Sequence, residues 1–363
     1  MSHITELKDV LGGLLSWHGT RLNFLAMFLI ALLKVKTVNL AEIATALNPQ
    51  AKVSSNYRRL QRFFADFELD YDDIAQLIAA LIPKPVEGYT LSLDRTNWQL
   101  GKFPINLLVL AIVHNGVAFP VYWTFLAKKG NSNTAERIAI IEKFISTFGQ
   151  KSITCLVADR EFVGKKWFKY LRQEKILFRI RIRQNFQVAG KQGPIPVMAM
   201  FQHLAVGESL VLSRKRFILG HHLYLIGLRL EDEFLLIVTD EKPDTALDAY
   251  GKRWNIETLF GILKSRGFRF EETHLIEGDR INKLLALLTL ATVWAFKVGE
   301  WLHEHEPLKL KKHGRLAKSL FRYGLDHLRS IVFDIQLKMD DFHFLAALIF
   351  SLEPQPLPVL QSH

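Results

Sequence analysis

Cysteine is nearly absent from this sequence. Cys155 is the single cysteine among 363 residues, so the chain cannot form an intrachain disulfide. This excludes the disulfide-stabilised folds of small secreted domains and makes a reducing cytoplasm the expected compartment. Cys155 lies in the apolar run 153–157, which favours a small core residue over a nucleophile.

The sequence also lacks a targeting segment and a long apolar run. The first ten residues, MSHITELKDV, do not contain the basic and then apolar segments of a secretory signal. The longest apolar stretches, 24–33 and 284–296, are shorter than the roughly 20 residues that span a bilayer, so we expect both to be buried helices. There is no Walker A motif, and no nucleotide cofactor is expected.

Acidic residues are scarcer than basic ones. The chain has 36 Asp and Glu against 47 Lys and Arg, which gives a net charge of +11 at pH 7. This excess favours a polyanionic partner, either nucleic acid or an anionic membrane. The apolar fraction of 49% is enough to bury a substantial core in two or three domains.

The first 86 residues have helical patterns and a basic segment. Asn39 is expected to cap a helix over 40–47, and Ser54 or Ser55 to cap a second helix over 56–67. Two short helices joined by a turn resemble a helix-turn-helix DNA reader. An ordinary helical bundle with a basic surface is the alternative. The basic residues exposed by the second helix would be Arg58, Arg59 and Arg62.

From residue 89 the pattern changes to alternating strands and helices. Asn115-Gly116 is a strong hairpin signal, and Thr134 is expected to cap an amphipathic helix. The order β-β-β-α-β-α-β is that of the ribonuclease-H-like fold, a mixed sheet with helices on both faces. The predicted strands are 91–100, 105–114, 117–127, 153–159 and 176–183, and the second helix covers about 163–174.

Three carboxylates stand out by their placement. Asp94 lies in the middle of the first strand, and Asp159 ends the fourth. These strands are neighbours in a ribonuclease-H-like sheet, so the two acids would lie side by side, and Glu257 on a later helix could join them. Three such acids can hold two Mg²⁺ or Mn²⁺ ions roughly 3.5–4 Å apart. Alternatively, each acid forms an ion pair with a nearby arginine.

The segment 250–264 places four polar residues on one side of a predicted helix. Tyr250, Arg253, Glu257 and Lys264 have offsets of 0, 3, 7 and 14, which fall within an arc of roughly 60° on a regular helix. An acid flanked by cations and a phenol suits a metal-dependent site acting on a polyanion. The alternative is a solvated face with a chance i,i+4 ion pair.

These residues resemble the DDE transposases of the insertion-sequence-four family, a bacterial cut-and-paste group. The resemblance rests on the segments 92–96 and 157–162 and on the spacing Y-x(2)-R-x(3)-E-x(6)-K from Tyr250 to Lys264. It implies that Asp94, Asp159 and Glu257 bind two divalent ions and are catalytic. The residues implied to bind DNA phosphates are Tyr250, Arg253 and Lys264, with Arg160 counted beside them.

The resemblance also implies a reaction and partners. Double-stranded DNA would be cut at the transposon ends, and the ends would be joined to target DNA through a hairpin intermediate. The enzyme would act as a homodimer on DNA at the bacterial nucleoid in the cytoplasm, without a membrane partner. The expected divisions are a helical DNA-binding region (1–86), the catalytic core in two parts (87–183 and 244–275), a β-rich insertion (184–243) and a helical C-terminal region for DNA contact or dimerisation (276–363).

The C-terminal region is rich in cations whose density fits contact with phosphates, although a solvated helix is the alternative. The candidates there are Lys311, Lys312, Arg315, Lys318 and Arg322.

One departure concerns the insertion, where some family members use a tryptophan to hold a flipped base. The insertion has no tryptophan; Phe217, Tyr224 or Phe234 could replace it, and the role stays unassigned. Two other functions remain open: a non-cutting DNA-binding derivative, and a ribonuclease-H-like nuclease without strand transfer.

Overall fold

The computed structural model describes residues 3–100, 103–190, 193–312, 314 and 316–349. The chain divides into two compact units. We call the described residues of 1–83, 98–104 and 260–363 the helical unit, and those of 84–97 and 105–259 the sheet unit. The predicted Arg315 lies outside the described residues.

The helical unit is built around two strongly apolar helices, α2 and α10. Eleven side chains of the first are buried, as its nearly continuous apolar sequence predicts. The helices of this unit are α1 His3–Gly12, α2 Gly19–Val35, α3 Leu40–Leu47, α4 Val53–Asp66, α5 Tyr71–Leu81, α10 Gly278–His305, α11 Leu320–Phe333 and α12 Met339–Leu348.

Helix α10 is the one described helix long and apolar enough to cross a membrane by itself, and 89% of its most apolar 18-residue window is buried inside the protein. Gly299 of α10 and Gly324 of α11 allow these helices to pack backbone against backbone. A Cβ atom on either glycine would overlap a carbonyl oxygen of the other helix. The apolar character of α10 is therefore that of a core helix.

The sheet unit contains a large mixed sheet. Its strands are β1 Tyr89–Leu100, β2 Phe103–His114, β3 Val117–Phe125, β4 Ile153–Ala158, β5 Phe178–Ile182, β8 Ser209–Val211, β9 Arg216–Ile218, β10 His221–Arg229 and β11 Phe234–Thr239. A separate hairpin is formed by β6 Gln187–Gly190 and β7 Gly193–Pro196. The helices of this part are α6 Thr134–Phe148, α7 Lys165–Gln173, α8 Ala246–Gly251 and α9 Trp254–Gly261.

The strand order confirms the predicted ribonuclease-H-like fold. The sheet runs β3-β2-β1-β4-β5, with β1 and β4 parallel, β4 and β5 parallel, and β2 and β3 antiparallel. The hairpin between β2 and β3 turns at Asn115 and Gly116, which have φ values of 38° and 85°. Positive φ at both central residues is what this two-residue turn requires.

The β-rich insertion extends the sheet instead of standing apart from it. Strand β11 pairs antiparallel with β5, and β10 and β8 follow, so the sheet continues in the order β5-β11-β10-β8. Ile226 and Ile237 on these strands pack with Ala246 and Tyr250 of α8. The insertion therefore supplies the apolar surface on which α8 rests.

Two predicted helix caps were wrong. Asn133, not Thr134, caps α6: its side chain accepts from the backbone N–H of Glu136, whose carboxylate accepts in return from the Asn133 N–H. Helix α4 begins at Val53, before the predicted Ser54 or Ser55 cap. Its buried Asn56 donates to carbonyl oxygens of Ala44 and Asn48, which ties the first turn of α4 to the end of α3.

The single regular helix predicted for the segment 250–264 was also wrong. The segment forms α8, then α9, then a π-helical turn over Ile262–Arg266. Both α-helical pieces end on a glycine, Gly251 and Gly261, and glycine has low helix propensity. Consequently Tyr250, Glu257 and Lys264 do not share one regular helix, and the arc drawn from sequence does not exist as such.

Candidate active site

Asp94 and Asp159 occupy neighbouring positions on parallel strands. The pairing between β1 and β4 matches Ser92 with Val157 and Leu93 with Ala158. Each acid is the next residue along its chain, Asp94 within β1 and Asp159 directly after β4. The predicted adjacency is confirmed, while their catalytic role stays a prediction.

Asp94 is a largely buried carboxylate with only partial charge compensation. Its side chain is 14% exposed. The carboxylate accepts from the Arg95 backbone N–H at 2.7 Å and from Arg253 Nη1 at 3.4 Å. Burial raises its pKa to about 7, against a smaller lowering by the Arg95 N–H and the Arg253 charge and a further raising by Glu161 and Asp159. Such a site favours a bound cation, because a cation would remove the cost of the buried charge.

Arg253 lies between two of the predicted acids. Its buried guanidinium donates to Asp94 and, through Nη2 at 2.7 Å, to Glu257 Oε1. The Glu257 side chain is 45% exposed, whereas that of Arg253 is 4% exposed. The i,i+4 pair considered as an alternative is thus present, but it reaches inward to Asp94 instead of lying on a solvated face.

Tyr250 contacts the second acid. Its hydroxyl donates to Asp159 Oδ1 at 3.5 Å. Burial is the main reason that the pKa of Tyr250 is raised, so the phenol stays a neutral donor. Tyr250 and Arg253 are therefore both engaged with carboxylates, and their contact with DNA stays a prediction.

A second arginine–glutamate pair braces the loop after Asp159. Arg95 donates from Nε and Nη2 to the two carboxylate oxygens of Glu161, each at 3.2 Å. The buried Arg137 donates from Nη2 to the backbone oxygens of Ser132 at 2.6 Å and Glu161 at 3.0 Å. Arg95, considered as a partner for Asp94, instead fixes the residue two positions after Asp159.

Arg179 braces the approach to α8. It is 1% exposed and donates through Nη2 to the Lys242 backbone oxygen at 2.8 Å and to Thr245 Oγ1 at 3.4 Å. Sequence reasoning missed Arg137 and Arg179. The signal for Arg179 was its place in the strand segment FRIRI, where two arginines alternate with apolar residues, while nothing in the pattern around Arg137 separates it from an exposed helix residue.

The other predicted phosphate ligands are Arg160 and Lys264. Arg160 is exposed beside Asp159. Lys264 lies in the π-helical turn of the helical unit and is half-buried. The structure therefore brings Tyr250 and Arg253 into direct contact with the acids and leaves Arg160 open to solvent.

The aromatic candidates of the insertion differ in exposure. Phe217 is 54% exposed and packs against His222 with ring centroids 5.2 Å apart, whereas Phe234 is buried. Tyr224 is half-buried beneath Lys215. Sequence reasoning missed Trp254, which is 57% exposed and holds the Arg253 guanidinium 4.7 Å from its ring centroid.

The candidate DNA-binding cations differ in their surroundings. Arg58, Arg59 and Arg62 are exposed on α4. Lys318 and Arg322 share Asp326, at 3.4 and 2.8 Å. Lys311 and Lys312 are exposed and precede α11, so they do not belong to the solvated helix considered as an alternative.

The donor set suits a hard divalent ion. Asp94 and Asp159 are adjacent, Glu257 is linked to Asp94 through Arg253, and all three offer carboxylate oxygens, the ligands preferred by Mg²⁺ and Mn²⁺. No three His, Cys, Asp or Glu side chains within the described part of the chain are grouped closely enough to hold a metal. A guanidinium currently lies where Glu257 would have to approach Asp94.

A ribonuclease-H-like sheet with paired acids on its first and fourth strands defines a class of enzymes that cleave nucleic acids or transfer their ends. The family model described as "Transposase DDE domain" matches residues 91–294, more than half of the chain. The chain therefore belongs to the DDE transposase family.

Other comparisons add little. A cryo-EM structure of a piggyBac transposase synaptic complex with hairpin DNA is 12% identical, with a TM-score of 0.44, over 99% of this chain and 85% of that one. At this level the likeness supports no inference. No curated protein matches the sequence.

Proposed function

We propose that this protein is a DNA transposase of the insertion-sequence-four type, which cuts DNA at transposon ends and joins the ends to target DNA. The observation that carries the proposal is the register of β1 and β4, which sets Asp94 and Asp159 side by side within the matched family domain. The spacing from Tyr250 to Lys264 supports the particular family, and the net charge of +11 supports a DNA partner.

In the proposed mechanism, Asp94, Asp159 and Glu257 would hold two Mg²⁺ or Mn²⁺ ions. When bound, the ions supply activation of a water or a 3′-hydroxyl and stabilisation of the leaving oxygen. Arg253 neutralises Asp94 and Glu257 before this happens. If the two carboxylates held an ion instead, the Arg253 guanidinium would be available for a DNA phosphate, which an arginine can bind through two N–H groups at once.

Tyr250 and the bracing arginines act on the second acid. The Tyr250 hydroxyl orients Asp159, and the Arg95–Glu161 pair together with Arg137 fixes the loop that follows it. These contacts hold the acid in place, because positioning of metal ligands depends on their outer hydrogen-bond partners. A hairpin intermediate, a homodimer on DNA and cytoplasmic action belong to the same proposal.

The proposal is tested with the purified full chain, Mg²⁺ and a DNA fragment that carries both flanks of its gene, where inverted repeats would mark the ends. We expect nicks at those ends and joining of the new 3′-ends to a supercoiled target. Cleavage without joining would identify the nuclease alternative, and end binding without cleavage would identify the non-cutting one. Equal cleavage by Asp94→Ala would contradict the site assignment.

A further inference from the structure

The helical unit contains a groove that none of the candidate active-site residues lines. Its volume is about 560 Å³, and it is bounded by the end of α1, the first turns of α2 and one side of α4. Phe24 and Phe63 contribute to its lining and stack with their ring centroids 4.1 Å apart. We call this the basic groove, and its other lining residues are Lys8, Gly19, Thr20, Arg21, Asn23, Met27, Arg59, Arg62 and Asp66.

The charges of the basic groove are mostly of one sign. Lys8, Arg21, Arg59 and Arg62 line it, and Asp66 is the acid among the lining residues. These cations come from three helices, so the fold, and not one helix face, brings them together. Arg59 is placed by a contact of its Nη1 with the Met27 sulfur at 3.8 Å, and a thioether does not neutralise a guanidinium.

The four cations that line the basic groove suit a ligand with several phosphate groups in a row. Thr20 and Asn23 add neutral groups that can contact phosphate oxygens. A free phosphorylated molecule shares this chemistry, but two features favour a backbone. The net charge of the whole chain is +11, and Arg59 and Arg62 are exposed side chains at the groove wall, not enclosed groups.

The groove distinguishes among the three arginines of α4 that the sequence grouped as DNA-binding candidates. Arg58 is exposed on α4 like Arg59 and Arg62, but it does not line the groove. If α4 were the recognition helix that the sequence suggests, all three arginines would contribute to DNA binding. In the groove, only Arg59 and Arg62 can.

We propose that the basic groove binds the phosphodiester backbone of double-stranded DNA through Lys8, Arg21, Arg59 and Arg62. This proposal rests on the proposed function, because it assigns part of the DNA substrate to a surface outside the acid residues. The groove holds the backbone and leaves base recognition to other contacts.

The test compares Arg59→Ala/Arg62→Ala with Arg58→Ala in the full-length chain. Affinity for a DNA duplex is measured over a range of salt concentrations in EDTA. Each lost phosphate contact lowers the slope of log K against log[salt] by about 0.9. We expect the double variant to lose about 2 from this slope and Arg58→Ala to leave it unchanged. An unchanged slope in the double variant, or an equal loss in Arg58→Ala, would overturn the proposal.

Two controls keep the outcome interpretable. Arg59→Lys/Arg62→Lys retains both charges and should retain the slope. A small-phosphate site would show as thermal stabilisation by inorganic phosphate, with chloride at equal ionic strength as the reference. If the alanine double variant lost this stabilisation but kept the salt slope of DNA binding, the backbone assignment would be overturned. Because binding is measured without metal, failure here is distinguishable from failure of DNA cleavage.

Discussion

The acid cluster and the basic groove use charge in opposite ways. The acid cluster, which we define as Asp94, Asp159, Glu257, Arg253 and Tyr250, mixes both signs, and its charges range from the buried Arg253 through the partly buried Asp94 and Asp159 to the exposed Glu257. The basic groove carries almost one sign on side chains that water can reach. In the first, each charge depends on a particular neighbour, whereas in the second the cations act in parallel.

This difference has an energetic consequence. A buried charge without its partner is costly, so removing one member of the acid cluster should disturb the others. Exposed cations contribute separately and are weakened by salt. Variants of the acid cluster should therefore show coupled effects, and variants of the basic groove additive ones.

The largest expected effect is loss of cleavage when an acid of the cluster is neutralised. Glu257→Gln should reduce cleavage by roughly a thousandfold, because loss of several kcal/mol of transition-state charge stabilisation corresponds to such a factor. Asp248→Asn is the matched control, since Asp248 is an exposed acid on α8. Similar rates for both variants in a single-turnover nicking assay would show that the cluster does not carry the chemistry.

The next effect is a pH dependence that belongs to the buried acid. The pKa of Asp94 is about 7 in the folded protein against an ordinary value of 3.8. Between these values the folded chain holds a proton that the unfolded chain has lost, so stability falls as pH rises from about 4 to 7 and levels off above. The shift corresponds to roughly 4 kcal/mol at most.

Denaturant unfolding of wild type and Asp94→Asn in EDTA checks this sign. The asparagine does not titrate, so the stability of the variant relative to wild type should increase as pH rises across that window. A difference that is constant with pH would mean that Asp94 is not a strained carboxylate in the folded protein.

Removal of the bridging guanidinium should have a smaller but clear effect. Arg253→Ala leaves the buried Asp94 without its ion pair, and breaking a buried pair costs roughly 3 kcal/mol or more. Uptake of a proton by Asp94 will recover part of this at pH below 7. We expect a lower unfolding temperature in EDTA and a larger stabilisation by Mn²⁺ than in wild type.

Arg172→Ala provides the comparison, because Arg172 pairs with Asp240 at 3.9 Å and is 41% exposed. It should show little loss of stability and the same Mn²⁺ effect as wild type. If Arg253→Ala and Arg172→Ala showed equal losses of stability and equal stabilisation by Mn²⁺, there would be no distinction between a coupled cluster and ordinary ion pairs.

The smallest effects belong to single cations of the basic groove. Arg21→Ala and Arg62→Ala should each weaken DNA binding by up to about 1 kcal/mol at moderate salt. Their effects should add in the double variant, because each makes its own contact. Titration of fluorescent duplex measures this, and strongly non-additive effects would erase the contrast with the acid cluster.

Sequence patterns predicted the sheet because local signals and topology agree. The Asn115-Gly116 turn fixed one hairpin, and strand order alone set Asp94 beside Asp159. The β-rich character of the insertion was also predicted, and the strands β6 to β11 lie within it.

The rest depended on contacts that a linear pattern does not contain. The pairing of β11 with β5 joins segments separated by the whole insertion, so alternation could show the strands but not their place in the sheet. Arg253 could be placed beside Glu257 by helical spacing, yet its second contact, with Asp94, is 159 residues away. The breaks after Gly251 and Gly261 then altered the arc that had seemed to include Lys264.

If the paired acids hold the divalent ion that cuts DNA, a change of ligand chemistry at Asp159 should change which ion supports cleavage. Asp159→Cys replaces a hard oxygen ligand with a softer thiolate, which Mn²⁺ accepts more readily than Mg²⁺. The native Cys155 is buried, with a pKa raised to about 11 mainly by burial, and offers no competing thiolate. We predict that Asp159→Cys does not cleave the element's ends in Mg²⁺ and regains cleavage in Mn²⁺. Undiminished cleavage in Mg²⁺ would contradict the account.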